Sequence, residues 1–322
     1  FDAIGIPYEK LSAAELRERF PMFEIGRFFP PKLPSDPAFW DDPAGDVHGV
    51  LAEGGFVDDP VLAAHNLMTA ALAAGATFRF RTEVTAIEQS DGAVSGVRLG
   101  DGSVLATPVV VNAAGPHSSI LNAMAGVLGD MTIRTRPLRT EVHSVPSPEG
   151  YALEDGAVSV GDLDLGTYFR PHLARTMIVG GIEPDCDPLI WVDDPDTNEP
   201  TPTVEVWEAQ TLRLARRLPS VGLPSRPVGL SALYDVSDDW VPIYDKSDLP
   251  GFFMACGTSG NQFKNAPMAG KFLAAIIDAE AAGNDHDEQP VQFVGQRTGR
   301  TIDLGAFSRR RDKSATSGTV MG

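Results

Sequence analysis

Nowhere in this chain of 322 residues does Gly-x-Gly-x-x-Gly occur. The nearest approach, Gly100-Asp101-Gly102, runs on into Ser103-Val104-Leu105 and reads as a hairpin turn. The glycine fingerprint that lets a first strand–turn–helix hold a pyrophosphate is therefore missing. Cysteine is nearly absent too. Cys186 and Cys256 exclude a disulfide framework or a cysteine metal site and allow at most one bridge. Cys256, inside an apolar run, reads as a small core residue. A reduced, cytoplasmic protein is the default for such a chain. The 6 histidines show no metal-ligand spacing, no apolar run nears the ~18 residues of a membrane span, and no secretory leader is visible. Positive charge is short: 26 Lys and Arg stand against 44 Asp and Glu, a net charge of −18. That excess disfavours nucleic acid and anionic membrane surfaces, which need a basic patch. The one basic cluster, Arg309-Arg310-Arg311, reads as part of a solvated polar tail. Ser259, in Gly257-Thr258-Ser259-Gly260, misses the Gly-x-Ser-x-Gly elbow by one residue, which argues against a hydrolase nucleophile.

What is present describes a globular chain of about two domains, at ~150 residues each, with 43% hydrophobic and 22% charged residues. Ser12, with Glu15 three residues on, forms a capping box, and Phe20-Pro21 ends that helix. Residues 24–49 are rich in Pro, Gly and Asp and read as loop. Asp59-Pro60 opens a second helix that Gly75 closes. Strands are expected at Phe78 to Ile87, Val94 to Leu99 and Val104 to Asn112, with hairpin turns at Asp91-Gly92 and Asp101-Gly102. A helix follows from about Pro116 to Ala125. From Arg134 the pattern turns β-rich, interrupted by a helix from about Val204 to Arg217. The last ~40 residues have weak periodicity.

The most informative stretch lies near the C-terminus. An apolar run from Gly251 to Cys256 ends in Gly257-x-x-Gly260, then Asn261-Gln262-Phe263-Lys264, then an apolar-periodic segment to about Ala282. That is strand, small-residue turn, helix. Such a turn lets backbone N–H groups approach a ligand, and the helix dipole favours negative charge there. Further motifs precede it in order. They are the Leu11-Ser12-Ala13-Ala14-Glu15 helix start, Gly54-Gly55-Phe56-Val57-Asp58-Asp59-Pro60, and Ala73-Ala74-Gly75-Ala76 with Thr82-Glu83-Val84. Asn112-Ala113-Ala114-Gly115-Pro116, Tyr168-Phe169-Arg170-Pro171 and Tyr234-Asp235-Val236-Ser237-Asp238-Asp239-Trp240-Val241-Pro242-Ile243 complete the set. Over roughly residues 8–282, this series resembles the FAD-dependent D-amino acid oxidase superfamily, nearest its sarcosine oxidase, glycine oxidase and dimethylglycine dehydrogenase branch.

The resemblance implies an α/β plus α+β fold. A Rossmann-like FAD-binding domain, incomplete at its N-terminus, would join an antiparallel β-sheet substrate domain. Residues 50–130 and 225–285 would form the first, 1–49 and 131–224 the second, with 286–322 a tail. The chain, which opens on Phe1, is expected to start after the missing glycine unit, which a cleaved segment or second polypeptide would supply. FAD would be touched by Val84, by Ala113, Ala114 and Gly115, and by Gly257, Ser259, Gly260, Asn261, Gln262, Phe263 and Lys264. His117 would pack near the cofactor. Lys264 would bind a substrate carboxylate, with Tyr168 and Tyr234 as the two active-site tyrosines. The substrate would be an amino acid or N-alkyl amino acid, oxidised to an imine by hydride transfer to FAD and then hydrolysed. Ala232 stands where some relatives carry a flavin-linking cysteine, so the FAD is expected to be noncovalent. Ile178 stands where the oxidases place a lysine that helps oxygen react, and Ile182 where they have a nearby histidine, which puts oxidase activity in question and leaves oxidase and dehydrogenase unresolved. A non-catalytic scaffold subunit of the same fold is the alternative.

Overall fold

The computed structural model describes residues 1–315 and 318–320. In chain order the strands are β1 (Tyr8–Leu11), β2 (Gly49–Ala52), β3 (Val84–Ser90), β4 (Ala93–Leu99), β5 (Val104–Ala106) and β6 (Val110–Asn112). There follow β7 (Thr135–Pro146), β8 (Val160–Asp162), β9 (Thr167–His172), β10 (Thr176–Gly181) and β11 (Ile190–Trp191). The last are β12 (Gly229–Ser237), β13 (Ile243–Lys246), β14 (Phe252–Cys256), β15 (Gln292–Val294) and β16 (Thr301–Asp303). Among the described residues five α-helices intervene: α1 (Ala13–Arg19), α2 (Pro60–Ala73), α3 (Ser118–Ala125), α4 (Val204–Arg217) and α5 (Ala266–Ala281). The chain forms two compact units. Unit 1 holds Phe1–Phe78, Thr140–Leu189 and Glu199–Ala232; unit 2 holds Arg79–Arg139, Ile190–Asn198 and Leu233–Gly322. These limits differ from the division read from sequence: residues 50–78 and 225–232 fall in unit 1, and 131–139, 190–198 and 286–322 in unit 2. Two of the five boundaries, at 139/140 and 232/233, fall inside β7 and β12, long strands that pass from one unit to the other.

In unit 1, the second half of β7 pairs antiparallel with β10, β10 with β9, and β9 with β8. Alternation along these strands sends Val145, Phe169, Met177 and Val179 to one face, where Leu214 of α4 and Leu218 just beyond it seal them into a core. Thr203 caps α4 by accepting from the Val206 N–H at 3.4 Å. The same alternation leaves Tyr168 and Arg170 on the other face of β9. α1 begins with the capping box: the Ser12 hydroxyl accepts from Glu15 N and the Glu15 carboxylate accepts from Ser12 N. α2 buries none of its residues; Val61, Leu62, Leu67 and Leu72 are all exposed.

In unit 2, β13, β14 and β6 form a sheet in that order, β14 antiparallel to β13 and parallel to β6. β3, β4 and β5 form a meander, turned at Asp91 and Gly92, both at positive φ, as the Asp-Gly pair requires. One core holds Ile87, Val94, Ile133, Ile243, Phe252, Met254 and Cys256. Both cysteines are free thiols, so the optional bridge does not form. Two expected strands are shorter than the apolar pattern suggested. β3 starts at Val84 because Arg81 sits at φ 53°, outside strand geometry. The 104–112 run breaks between β5 and β6 around Pro108, which cannot donate to a ladder.

The expectation of a solvated tail is overturned. β15 and β16 pair, and Leu304 is buried against Tyr244, Phe253 and Phe272. Arg309 is fully buried among Asp130, Asp245 and Asp287, with Nη1 at 2.9 Å from Asp245 and 2.8 Å from Asp287. Arg311 bridges Asp239 at 2.7 Å. In a chain with this carboxylate excess, guanidinium groups neutralise buried acids, so Arg309 and Arg311 are drawn inward while Arg310 reaches Asp130 from the exposed side.

Candidate active site

β14 and β6 run parallel with Met254 opposite Asn112, so the two turns that follow them emerge at the same end of the sheet. In open α/β sheets, ligands bind beyond the carboxyl ends of parallel strands. The first turn is shaped by the buried Asn112. Its side chain donates to Ser118 O at 2.9 Å and to Asn122 Oδ1 at 2.8 Å, and accepts from Ala114 N at 3.1 Å. Ala113 is exposed, Ala114 and Gly115 are half-buried, and Gly115 has φ 56° with no atom near the place of an added Cβ.

The second turn is stiffer. Gly257, Ser259 and Gly260 have φ of 69°, 49° and 75°. This left-handed geometry is cheap for glycine and costs roughly 1–2 kcal/mol for the serine. Three groups of β12, on Asp235 and Ser237, hold it. Asp235 Oδ2 accepts from Gly257 N at 2.6 Å, and Asp235 O accepts from Ser259 N at 2.7 Å. Ser237 N donates to Ser259 Oγ at 3.3 Å, and that hydroxyl donates to Gly257 O at 3.1 Å. A Cβ on Gly257 would meet Ser237 at 2.9 Å, and one on Gly260 would clash with the Tyr234 ring at 2.3 Å, so both glycines are required by contact as well as by φ. The Ser259 hydroxyl is thus structural, in keeping with the missing hydrolase elbow.

The structure brings together within unit 2 most of the residues expected from sequence: Tyr234, the 113–115 turn and Gly257 through Lys264. Val84 packs against the same core as Met254 and Cys256. Asn261 and Gln262 are half-buried, and Phe263 and Lys264 are exposed. Gln262 accepts from Tyr244 Oη at 3.3 Å and from Asn265 Nδ2 at 2.7 Å, fixing the start of α5. Lys264 Nζ donates to Asn261 O. Among the described residues no carboxylate lies within ion-pair distance of Lys264. His117, expected near the cofactor, is half-exposed and its Nε2 lies 3.0 Å from Asp196.

Tyr168 lies in unit 1, where its ring covers Gly180 of β10. Arg170, two residues on, stacks on Phe56 with 4.4 Å to the ring centroid. Burial lowers its pKa, partly offset by Tyr168 and Asp58.

Sequence reasoning missed Asp235. It was quoted only as part of a tyrosine block, yet the residue is 2% exposed, and its carboxyl and backbone oxygen both hold the 257–260 turn. Burial raises its pKa from 3.8 to about 6, although Gly257 N–H and the hydroxyls of Thr135 and Ser118 act against the rise. The available signal was an acid in a strand whose other positions of the same parity, Ser231, Leu233 and Ser237, carry no charge. Among the described residues no cluster of three or more His, Cys, Asp or Glu could hold a metal, and no helix is long and apolar enough to cross a membrane.

The residues fit a flavin on the turn side: small residues, left-handed backbone and open space at Gly115 form a cradle that a side chain would fill. They supply no pyrophosphate-binding glycine turn. Comparison with known proteins agrees. The fold is that of L-proline dehydrogenase from P. horikoshii, at TM-score 0.65 and 18% identity over 96% of this chain and 69% of that one. Glycine oxidase from Geobacillus kaustophilus matches at 0.64 and 20%, over 97% and 69%. Glycine oxidase from Bacillus cereus matches at 0.63 and 20%, over 87% and 66%. The chain thus spans about two thirds of the length of these neighbours. The sequence profile of the FAD dependent oxidoreductases, DAO, matches residues 2–276, and the chain therefore belongs to that family.

Proposed function

We propose that this protein oxidises the amine of an amino acid or N-alkyl amino acid to an imine that then hydrolyses. The reading rests chiefly on the 257–264 turn: a cradle of left-handed small residues that ends in an ammonium group without a carboxylate partner. When bound, FAD supplies the oxidant, accepting a hydride equivalent from the carbon beside the substrate nitrogen. Gly257, Ser259 and Gly260 present the turn backbone to it, and Ala113, Ala114 and Gly115 the neighbouring strand end. Lys264 holds the substrate carboxylate by a charge-assisted hydrogen bond. Tyr234, whose ring lies on Gly260, fixes the surface next to that turn. Tyr168, in unit 1, receives its substrate-facing part from its motif alone. Names of fold neighbours such as proline dehydrogenase, glycine oxidase and iminodiacetate oxidase support a small amino acid substrate. Isoleucines at 178 and 182 offer oxygen no cation, which favours a dehydrogenase passing electrons to another carrier.

The glycine unit that this sequence lacks is proposed to add at β6. That strand is the outer member of its sheet among the described residues, and Val109 just before it and Val111 within it are 38% and 40% exposed. A cleaved segment or a second polypeptide would cover it. The test is to purify the protein with whatever accompanies it, measure flavin absorbance, and add glycine, proline or sarcosine without oxygen. Bleaching of a yellow holoprotein supports the reading. A colourless preparation that takes up no FAD would instead favour the non-catalytic scaffold. Tight flavin binding by this chain alone would overturn the proposed addition at β6.

A further inference from the structure

Unit 1 contains a cavity of about 710 Å³ that none of the residues assigned to flavin or substrate lines. Its origin lies in the sheet topology. β8 is the last strand of its sheet and pairs only with β9 among the described residues, while β1 and β2 form a separate two-stranded sheet. The two sheets do not join, and a gap stays open between them. Leu11, Leu16, Phe20, Phe23 and Ile25 line it from β1, α1 and the chain that follows, and residues 158–164, β8 with its flanks, complete it. Three lining side chains stay exposed and mark its mouth: Phe29 at 58%, Val50 at 60% and Leu163 at 66%. Small-molecule sites are commonly about 300–1,000 Å³ and mostly apolar, with a few polar groups that fix the ligand's orientation.

The acids on its walls are all committed. Arg217 pairs with Asp162 at 2.7 Å and with Asp164 at 3.0 Å, and Arg17 holds Asp46 at 2.6 Å. Asp164 also accepts from the N–H groups of Phe28 and Phe29, at 2.7 and 2.9 Å. Arg27 differs from these. Its guanidinium lies over the Phe29 ring, 5.6 Å from the centroid, and among the described residues no carboxylate is within ion-pair distance of it. We propose that this cavity is a ligand site in its own right and takes a small organic carboxylate with an apolar body. The carboxylate sits on Arg27, and the hydrocarbon part lies against Leu16, Phe20, Phe23 and Val160. One guanidinium without an acid, beside three acids already paired, matches a single negative charge better than the two of a phosphate monoester. The hydrocarbon part removes apolar wall from water, and exclusion of water strengthens the ion pair at the mouth. The site belongs to unit 1 and does not depend on the flavin reading.

A methyl NMR titration of the protein as purified reads both affinity and place. The probes are phenylbutyrate and phenylbutanol, which share an apolar body and differ in charge. Phenylbutyrate should shift the Leu16, Leu51 and Val160 methyl resonances and saturate with a dissociation constant on the order of 0.3 mM. Phenylbutanol should bind about fivefold to tenfold more weakly. Arg27→Met should weaken phenylbutyrate by about the same factor and leave phenylbutanol unchanged. Arg27→Lys, which keeps a cation, should retain most of the phenylbutyrate affinity. Arg27 is exposed and holds no ion pair, so neither substitution threatens the fold. Glycine and proline, too polar for these walls, should not displace the probe. No saturable binding up to about 3 mM would overturn the inference. So would shifts confined to other residues, equal affinity for the two probes, or an Arg27→Met variant that binds phenylbutyrate like wild type. Displacement by glycine or proline would place the probe in the amino acid site and overturn it as well.

Discussion

Replacing Arg309 with Met tests how the chain beyond α5 supports the site. The guanidinium is completely buried, and its carboxylate partners are nearly so: Asp245 is 0%, Asp130 6% and Asp287 11% exposed. Asp245 lies on β13, the strand paired with β14, which leads into the flavin turn. Breaking a buried ion pair from one side costs about 3–5 kcal/mol, because the remaining charge is left without its partner. Compensation is incomplete. Arg310 already reaches Asp130 and Asp287, and Lys246 lies 4.0 Å from Asp287. Asp245 keeps hydrogen bonds from Ser308 Oγ at 3.1 Å, Lys246 N at 2.8 Å and the backbone N of residue 309 at 2.8 Å but loses its guanidinium partner. A loss near the lower end, ~3 kcal/mol, is expected for unit 2. Urea unfolding at pH 7.5 reads this as a lower midpoint at unchanged slope. The pH dependence adds a second check. Burial raises the Asp287 pKa, but the Arg309 hydrogen bond and charge outweigh it, and the net shift is downward. A depressed carboxylate contributes stability that is present above its unfolded pKa and lost as pH falls through its folded one. Without Arg309 that contribution disappears, so the gap between wild type and Arg309→Met should narrow between pH 7 and pH 3. A gap below ~1 kcal/mol at pH 7.5, unchanged by acid, would refute the account and restore a tail without structural weight.

Lys264→Met should raise the Michaelis constant for an amino acid substrate roughly tenfold to a hundredfold or more, from the ~1.5–3 kcal/mol of a hydrogen bond to a charged group, with FAD retained. A matching amine without a carboxylate should be much less affected, and unchanged kinetics on the carboxylated substrate would make Lys264 an ordinary surface lysine. Gly260→Ala should destabilise the turn by ~1 kcal/mol or more, since the left-handed φ of 75° and the Tyr234 ring both reject a Cβ; a melting temperature and flavin affinity equal to wild type would contradict this. Asp235 has a folded pKa raised to about 6 from 3.8, so its contribution favours the folded state below pH 4 and is lost as pH rises through 6. Asp235→Asn should therefore flatten the stability profile between pH 4 and 7 by up to about 3 kcal/mol, at ~1.36 kcal/mol per pKa unit, and a profile parallel to wild type would count against it. Acid or heat denaturation should release all flavin from this chain; flavin that stays covalently attached would contradict the reading of Ala232.

Local patterns in the chain were enough to place many elements. Ser12 and Glu15 announced α1, Asp91-Gly92 the β3–β4 hairpin, and helical spacing the span of α4, because capping, turn chemistry and periodicity act over a few residues. The order of motifs along residues 8–282 was enough to indicate the flavoenzyme family, and the small-residue turn before α5 was legible as a ligand-facing element. What the sequence alone did not determine depends on groups far apart in the chain. Arg309 looks like a solvated tail residue until Asp130 and Asp245, 179 and 64 positions away, are seen to enclose it. Asp235 looks like one more acid until folding places it 2.6 Å from the Gly257 N–H, 22 residues on. Burial and charge pairing are properties of the packed chain, since desolvation and Coulomb energy depend on distance in space. The sequence therefore named the turn, and tertiary packing decided which buried charge holds it.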